Sequence, residues 1–328
     1  MTDTMRALLG GAGPGWEVRE VDVPTPGPGM LLVRVRAAAL NRADLHMLEG
    51  VYNPQAKTGD LFTAGLELAG EVAAFGDGVT DFAVGARVMG VTLGAFAPYA
   101  LVDHRHVIPV PASLSWTDAA ALPVGLATEH DALTQGGFTA GQRVLVTGAT
   151  SSVGLLGVQL AKALGASLVV ATTTSASKAA TLRAVGADVV VDTSAENLAE
   201  AVAGATEGAG VDLVLDQVGG QVFADTFLAT RVGGTIVNVG RLAGAESAVD
   251  LDQLSFRRLR VQGTTFSVRT PDELSDVCAA VTSAVVPAVE DGRARAVVDR
   301  VFGFDDARAA ADHMRSDQAV GKIVLELP

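Results

Sequence analysis

The sequence predicts an α/β protein in which a doubly wound parallel sheet sits beside a second, β-rich domain. Three observations lead there. Short strand-like runs punctuated by Gly and Pro fill the first third. From about residue 117, apolar runs alternate with helix-like segments, the pattern of a parallel sheet covered by helices. After about residue 260 the remaining chain is too short for a domain of its own and is expected to pack back on the first. The 328 residues, 49% of them hydrophobic, suit two domains of roughly 150 residues each. The expected boundaries are 1–117, 118–262 and a C-terminal return, 263–328.

In order along the chain, Leu31-Leu32-Val33-Arg34-Val35, Gly70-Glu71-Val72-Ala73 and Gly85-Ala86-Arg87-Val88-Met89 read as strands. Pro24-Thr25-Pro26-Gly27-Pro28-Gly29 reads as a turn, because three prolines lack the N–H and fix φ. The runs at 144–146, 168–171, 189–191, 211–215 and 235–239 are apolar throughout or nearly so, as strands buried on both faces should be. Helices are expected between them at 152–164, 177–185, 197–203 and 221–230. The tail offers a strand-like run, helices at 271–288 and around 305–314, and a closing strand at 322–326. No tandem repeat or low-complexity tract interrupts this order.

The net charge of −13 argues against nucleic acid or anionic membrane surfaces as partners, which call for a basic footprint. Cys278 is the only cysteine, so one chain can form neither an internal disulfide nor a cysteine-cluster zinc site. No stretch reaches ~18 uninterrupted apolar residues. A soluble, cytoplasmic protein is the expectation.

Thr147-Gly148-Ala149-Thr150-Ser151-Ser152-Val153-Gly154 follows a buried strand and opens an amphipathic helix. Free N–H groups and the helix dipole at such a turn attract a dinucleotide pyrophosphate. The glycine fingerprint is degraded: Ala149 and Ser151 take its first two glycine positions, and Gly154 remains. The competing interpretation is a small-residue turn that only lets helix and strand pack closely. An acidic residue at the end of the second strand would favour NAD through the ribose 2′-hydroxyl. Here the strand runs instead into Thr172-Thr173-Thr174-Ser175-Ala176-Ser177-Lys178, hydroxyls ending in a cation, which suits the 2′-phosphate of NADPH. The alternative is a polar helix start, with Ser175 as N-cap and Lys178 in solvent.

Several segments then resemble the zinc-free, zeta-crystallin-like quinone oxidoreductase branch of the medium-chain dehydrogenase/reductase family. They are Leu122-Pro123-Val124-Gly125-Leu126-Ala127-Thr128, Gly141-Gln142-Arg143-Val144-Leu145-Val146-Thr147-Gly148, Ser152-Val153-Gly154 and Val158-Gln159-Leu160-Ala161-Lys162. Asn41-Arg42-Ala43-Asp44, Gly65-Leu66-Glu67 with Gly70, Gly186-Ala187-Asp188, Asp216 with Gly219-Gly220, and Gly321-Lys322-Ile323-Val324-Leu325 extend the similarity over essentially the whole chain. The resemblance implies a GroES-like catalytic domain, a Rossmann domain, an active site in the cleft, and a homodimer joined through the last Rossmann strand near 259–264. It implies no catalytic zinc: Asn41 to Asp44 contain no cysteine, and Leu66 stands where the zinc-dependent branch has histidine.

The resemblance further implies reduction of a quinone or α,β-unsaturated carbonyl by NADPH. Polar positions near the nicotinamide map onto Asn41 and Tyr52, and His46 replaces a frequent tyrosine. A histidine there can hydrogen-bond a developing oxyanion and supply a proton. The alternatives are that Asn41 satisfies backbone groups at a strand end, and that His46 and Tyr52 belong to the cleft rim. Thr128, Ser151, Ser152, Val153, Gly154, Thr173, Ser175, Lys178, Gly240, Phe266 and Lys322 are the expected NADPH neighbours. Thr193 stands where relatives often hold the 2′-phosphate with tyrosine. His130 replaces an aromatic and reads as packing or rim; His104 and His106, on an expected strand, lack a third metal ligand. Cys278 reads as buried structure. Rival functions are a 2-enoyl thioester reductase, for which Arg257, Arg258 and Arg260 are the only dense basic spot, and a non-catalytic NADPH-binding protein, structural or RNA-binding.

Overall fold

The computed structural model describes residues 3–11, 13, 15–50 and 60–328. It divides into two compact units, residues 1–124, 267–286 and 296–328 in the first, and 125–266 and 287–295 in the second.

The first unit is organised by the long strand Met30–Leu40, whose alternating and then wholly buried side chains reflect the change from Leu-Val-Arg-Val to Ala-Ala-Ala-Leu. One edge pairs antiparallel with Glu67–Phe75. Along the other edge, its first half pairs with Tyr99–Asp103 and its second half with the C-terminal strand Lys322–Glu326, Ile323 opposite Leu40. That register stitches the end of the chain into the first domain's sheet. Val298–Gly303 extends the sheet beyond it, and Arg87–Val91 and Val107–Pro109 extend the other side. Leu31, Val33, Leu68, Val88, Phe96, Ile323 and Leu325 share one core. A separate three-stranded sheet holds Glu17–Asp22, Thr4–Gly10 and Phe62–Thr63.

The second unit is a six-stranded sheet in the order Val189–Asp192, Leu168–Thr173, Arg143–Val146, Val211–Asp216, Thr230–Asn238 and Arg260–Gly263, all neighbours parallel. In chain order this is 3-2-1-4-5-6, the doubly wound arrangement that the run of apolar strands predicts. The expected helices are found at Ser152–Ala163, Ala179–Ala184, Leu198–Ala205 and Gly220–Ala229. Leu145, Val170, Val214, Phe227 and Ile236 anchor its core.

Four details differ from the sequence expectation. The helix expected at 271–288 stops at Ala284, and a separate turn of helix covers Val286–Glu290; Pro287 has no N–H to continue the ladder. The fifth strand begins at Thr230 rather than 235, with a register shift between Val211 and Leu213 accommodated at Gly233, where φ is +75°. His104 and His106 lie on a 3₁₀ turn, not a strand, and the His106 ring meets the Pro271 carbonyl at 2.8 Å. Residues 287–295, expected with the C-terminal return, pack on the second unit, because the Gln159 side chain bonds both the N–H and the carbonyl of Arg295.

Candidate functional site

In the first unit, strand Met30–Leu40 ends and the helix Arg42–Leu48 begins at Asn41, in extended conformation. The Asp44 carboxylate accepts the Asn41 N–H at 2.7 Å, the reciprocal half of a capping box. The Asn41 side chain turns inward. Its Nδ2 donates to Glu67 Oε1 at 2.8 Å, and its Oδ1 accepts from Lys322 Nζ at 2.7 Å. Lys322 is also ion-paired with Glu67 at 2.5 Å, and Glu67 Oε2 accepts the Val124 N–H at 2.8 Å. That last bond caps the helix Pro123–Gln135, whose preceding residue, Leu122, has no polar side chain to do so.

All four polar side chains are buried. Burial pushes the Asp44 carboxyl up to about 7, against the Asn41 hydrogen bond, with the Glu67 charge adding to the rise and Lys322 opposing it. Among the described residues, Asp44 Oδ1 has no hydrogen-bond partner. The candidates therefore fare differently. Asn41 is committed to holding Glu67 and Lys322 rather than presenting a free amide. Lys322, expected beside the cofactor, has its ammonium engaged by Asn41 and Glu67 and is only 1% exposed. His46 is half-buried in the last turn of Arg42–Leu48. Tyr52 lies outside the described residues.

In the second unit, the turn after Arg143–Val146 is built by Gly148 at φ +56°, where a Cβ would lie 2.9 Å from Val218. The Thr172 hydroxyl accepts the Gly148 N–H and the Thr172 carbonyl that of Ala149. Ser151 caps the following helix, its Oγ accepting from Gly154 N at 3.0 Å. A Cβ on Gly154 would stand 2.7 Å from Ala149 Cα, so the surviving fingerprint glycine is required for helix–turn contact. Ser152 and Val153, half-buried, begin the helix ahead of its Leu155-to-Ser151 bond. These residues fit a pyrophosphate: a capped, glycine-tight helix start carrying no carboxylate.

At the end of Leu168–Thr173, the buried Thr173 hydroxyl accepts the Ser175 N–H, and Ser175 meets Ser177 at 2.8 Å. Ser175 stands at the N-cap position of the turn Ala176–Lys178 but makes no side-chain cap bond; Lys178 is half-buried. Thr193 returns its hydroxyl to the Thr173 carbonyl. Asp192, on the neighbouring strand, bonds the Ser194 backbone and hydroxyl. Thr128 and Phe266 are half-buried. Gly240 lies where a Cβ would meet the Gln217 carbonyl at 2.4 Å.

Sequence reasoning passed over the residues that hold these turns together. Asp216 accepts from Thr147, Gly219 and the Asn238 amide, tying the ends of three adjacent strands. Glu129 and Gln217 are hydrogen-bonded in the interior. The available signal was the lone charge inside an apolar run: Glu67 before Leu-Ala-Gly and Glu129 after Leu-Ala-Thr. In the basic cluster, Arg257 is bound to Gln253 and the Thr230 carbonyl, while Arg258 and Arg260 are exposed. Cys278 is buried, and that burial pushes its thiol up to about 12.

One unit is doubly wound and the other is β-rich and built from both ends of the chain, and the relatives this chain matches are oxidoreductases. Residues 27–112 match the alcohol dehydrogenase GroES-like domain, and residues 152–283 the zinc-binding dehydrogenase family. Prostaglandin reductase-3 of Bos taurus is 34% identical, covering 94% of this chain and 84% of its own length. A quinone oxidoreductase of Pseudomonas aeruginosa is 31% identical, covering 94% of each chain. An alcohol dehydrogenase superfamily protein from Novosphingobium aromaticivorans superposes with a TM-score of 0.90 at 29% identity, covering 99% of this chain and all of that one. Three polyketide synthases are also similar, this chain spanning 13% or less of each. The chain belongs to the medium-chain dehydrogenase/reductase family, whose reductases use a nicotinamide cofactor. Among the described residues, no helix is long and apolar enough to cross a membrane.

Proposed function

We propose that this chain is an NADPH-dependent reductase that delivers hydride to a quinone or an α,β-unsaturated carbonyl without a metal, in the cytoplasm. The observation that carries the reading is the acid-free, hydroxyl-rich end of Leu168–Thr173 beside a Ser151-capped helix start. Full-length similarity to proteins named prostaglandin reductase and quinone oxidoreductase supports the acceptor class. When bound, NADPH supplies the hydride. Ser151, Ser152, Val153 and Gly154 hold the pyrophosphate; Thr173, Ser175 and Lys178 hold the 2′-phosphate; Thr128, Gly240 and Phe266 complete the cofactor's surroundings.

Conjugated acceptors suit a site without a Lewis acid. Hydride on the β-carbon sends the electron pair to the carbonyl oxygen as a delocalised enolate, which a hydrogen-bond donor can stabilise. His46 and Tyr52 are the donors, and His46 also passes the proton that completes the reduction. Asn41 and Lys322 act as positioning residues: an ammonium already held between Asn41 Oδ1 and Glu67 Oε1 supports the metal-free reading. The exposed edge strand Arg260–Gly263, with Phe256 81% exposed nearby, supports a homodimer. Purified protein tested with quinones, enones, an enoyl thioester and a saturated ketone, with NADH and a chelator as controls, checks the assignment. Chelator-resistant turnover of a quinone or enone preferring NADPH is expected. Binding of NADPH with no acceptor reduced would leave a binding protein instead.

A further inference from the structure

Asp131 lies in the helix Pro123–Gln135, one turn beyond Thr128, and is buried. Its Oδ2 accepts from the hydroxyl of Thr264, also buried, at 2.7 Å. Thr264 leaves the strand Arg260–Gly263, which stands at the edge of the sheet, has four exposed residues and pairs on one side only, with Thr230–Asn238. The Thr264 N–H donates to the Asn238 carbonyl at 3.1 Å, and the Asn238 amide donates to the Gly240 carbonyl at 3.0 Å. Two residues before Phe266, the chain is therefore fastened on one side to the turn at Gly240 and on the other to the helix that carries Thr128.

We propose that Asp131 is a positioning residue for the nicotinamide half of the cofactor: by holding the Thr264 hydroxyl it fixes the approach to Phe266 relative to Thr128 and Gly240. This rests on the dinucleotide reading given above. In a sheet of order 3-2-1-4-5-6, the two mononucleotide halves of the cofactor lie over opposite halves of the sheet. The 2′-phosphate site proposed at the end of Leu168–Thr173 puts the adenosine over the first three strands, which leaves the nicotinamide to the exits of the last three. Asn238 and Thr264 stand at the exits of the fifth and sixth.

The exit of a central strand is directed by neighbours on both sides, whereas that of an edge strand has a neighbour on one side alone. A side-chain bond from a buried carboxyl on a helix supplies the second constraint, because the helix is rigid and the buried group has no water to exchange for its partner. A nicotinamide displaced by a fraction of its own width still binds, since the pyrophosphate and 2′-phosphate contacts proposed above lie over the other half of the sheet. Hydride transfer suffers instead, because it depends on the separation and alignment of the reacting atoms.

The test compares wild type with Thr264→Val, which keeps the volume and removes the donor, with Thr264→Ser, which keeps the donor, with Asp131→Ala, and with Asp131→Ala/Thr264→Val. Each is measured for NADPH binding, for NADPH oxidation with an enone, and for the fluorescence emission of the bound reduced nicotinamide. Thr264→Val should lower kcat about tenfold or more while the dissociation constant of NADPH stays within about threefold of wild type. Thr264→Ser should restore most of kcat, the double variant should be no slower than the slower single variant, and the emission should shift and return in step with kcat. Wild-type kcat and emission in Thr264→Val, a loss that Thr264→Ser does not repair, or an equal fall in kcat and NADPH affinity overturns the proposal, the last being the mark of general loosening. Should Asp131→Ala not fold, Thr264→Val against Thr264→Ser decides alone. A wild type that binds no NADPH overturns the dinucleotide reading, and this proposal with it. A wild type that binds NADPH and does not reduce the enone overturns the acceptor assignment only, and the emission of the bound nicotinamide then decides.

Discussion

The two units carry polar centres of opposite construction. In the first, Glu67, Lys322 and Asp44 form, with the neutral Asn41 amide, a buried polar cluster from three distant parts of the chain. In the second, the turns around Gly148 and Gly240 are held by hydroxyls, amides and backbone, and the one fully bonded charge, Asp216, is surrounded by neutral donors. The first depends on charge balance, and deleting one member leaves another charged and desolvated. The second leaves backbone N–H groups at the start of Ser152–Ala163, where Ser151 caps one of them. One centre fixes geometry; the other is the one proposed to receive phosphate.

Breaking the charge balance should have the largest effect. Lys322→Met leaves Glu67 buried without its counter-charge and should cost about 3–5 kcal/mol by denaturant unfolding, whereas Glu67→Gln/Lys322→Met should recover much of that. A double variant as unstable as the single one would show that the pair is not electrostatically coupled.

The next effect compares the two buried acids. Glu129 and Asp44 both have folded values raised by burial, to about 8 and about 7, above their ordinary 4.5 and 3.8. The folded chain therefore holds protons that the unfolded chain has released. Their contribution to stability is complete below the unfolded values and is lost as pH rises through the folded ones. Relative to Glu129→Gln, wild type should lose up to about 1.4 kcal/mol for each pH unit between roughly 5 and 8, seen in unfolding midpoints. A parallel pair of stability–pH curves would contradict the burial argument.

Smaller effects test the receiving centre. Lys178→Ala should reduce the preference for NADPH over NADH by about tenfold, the ~1.4 kcal/mol of a charge-assisted contact, measured as a ratio of kcat/KM values. Ser151→Ala should cost about 1 kcal/mol through loss of the helix cap and weaken both dinucleotides alike. A change in the cofactor ratio with Ser151→Ala would mean that the two phosphate contacts are not separable as described.

The second unit was legible in the sequence because strands buried on both faces must be apolar runs, and the turn proposed for the phosphates is local, within eight consecutive residues. The first unit's centre was not legible, although both charges are plain in the sequence. Glu67 and Lys322 meet only because Glu67–Phe75 and Lys322–Glu326 flank the same strand in the registers that set Ala38 opposite Leu68 and Ile323 opposite Leu40. Register at that separation has no sequence signature. The break at Pro287 was readable and was outweighed by the helical pattern around it. Asp131 and Thr264 each looked ordinary, and only their hydrogen bond gives either a meaning.

The central claim is metal-independent transfer from NADPH to a conjugated acceptor. It is tested most directly by following the absorbance of the reduced nicotinamide while purified protein, with chelator present, meets an enone and its saturated ketone counterpart. The account predicts oxidation of NADPH with the enone, slower oxidation of NADH, and none with the ketone. Turnover of the ketone that disappears on chelation would contradict it.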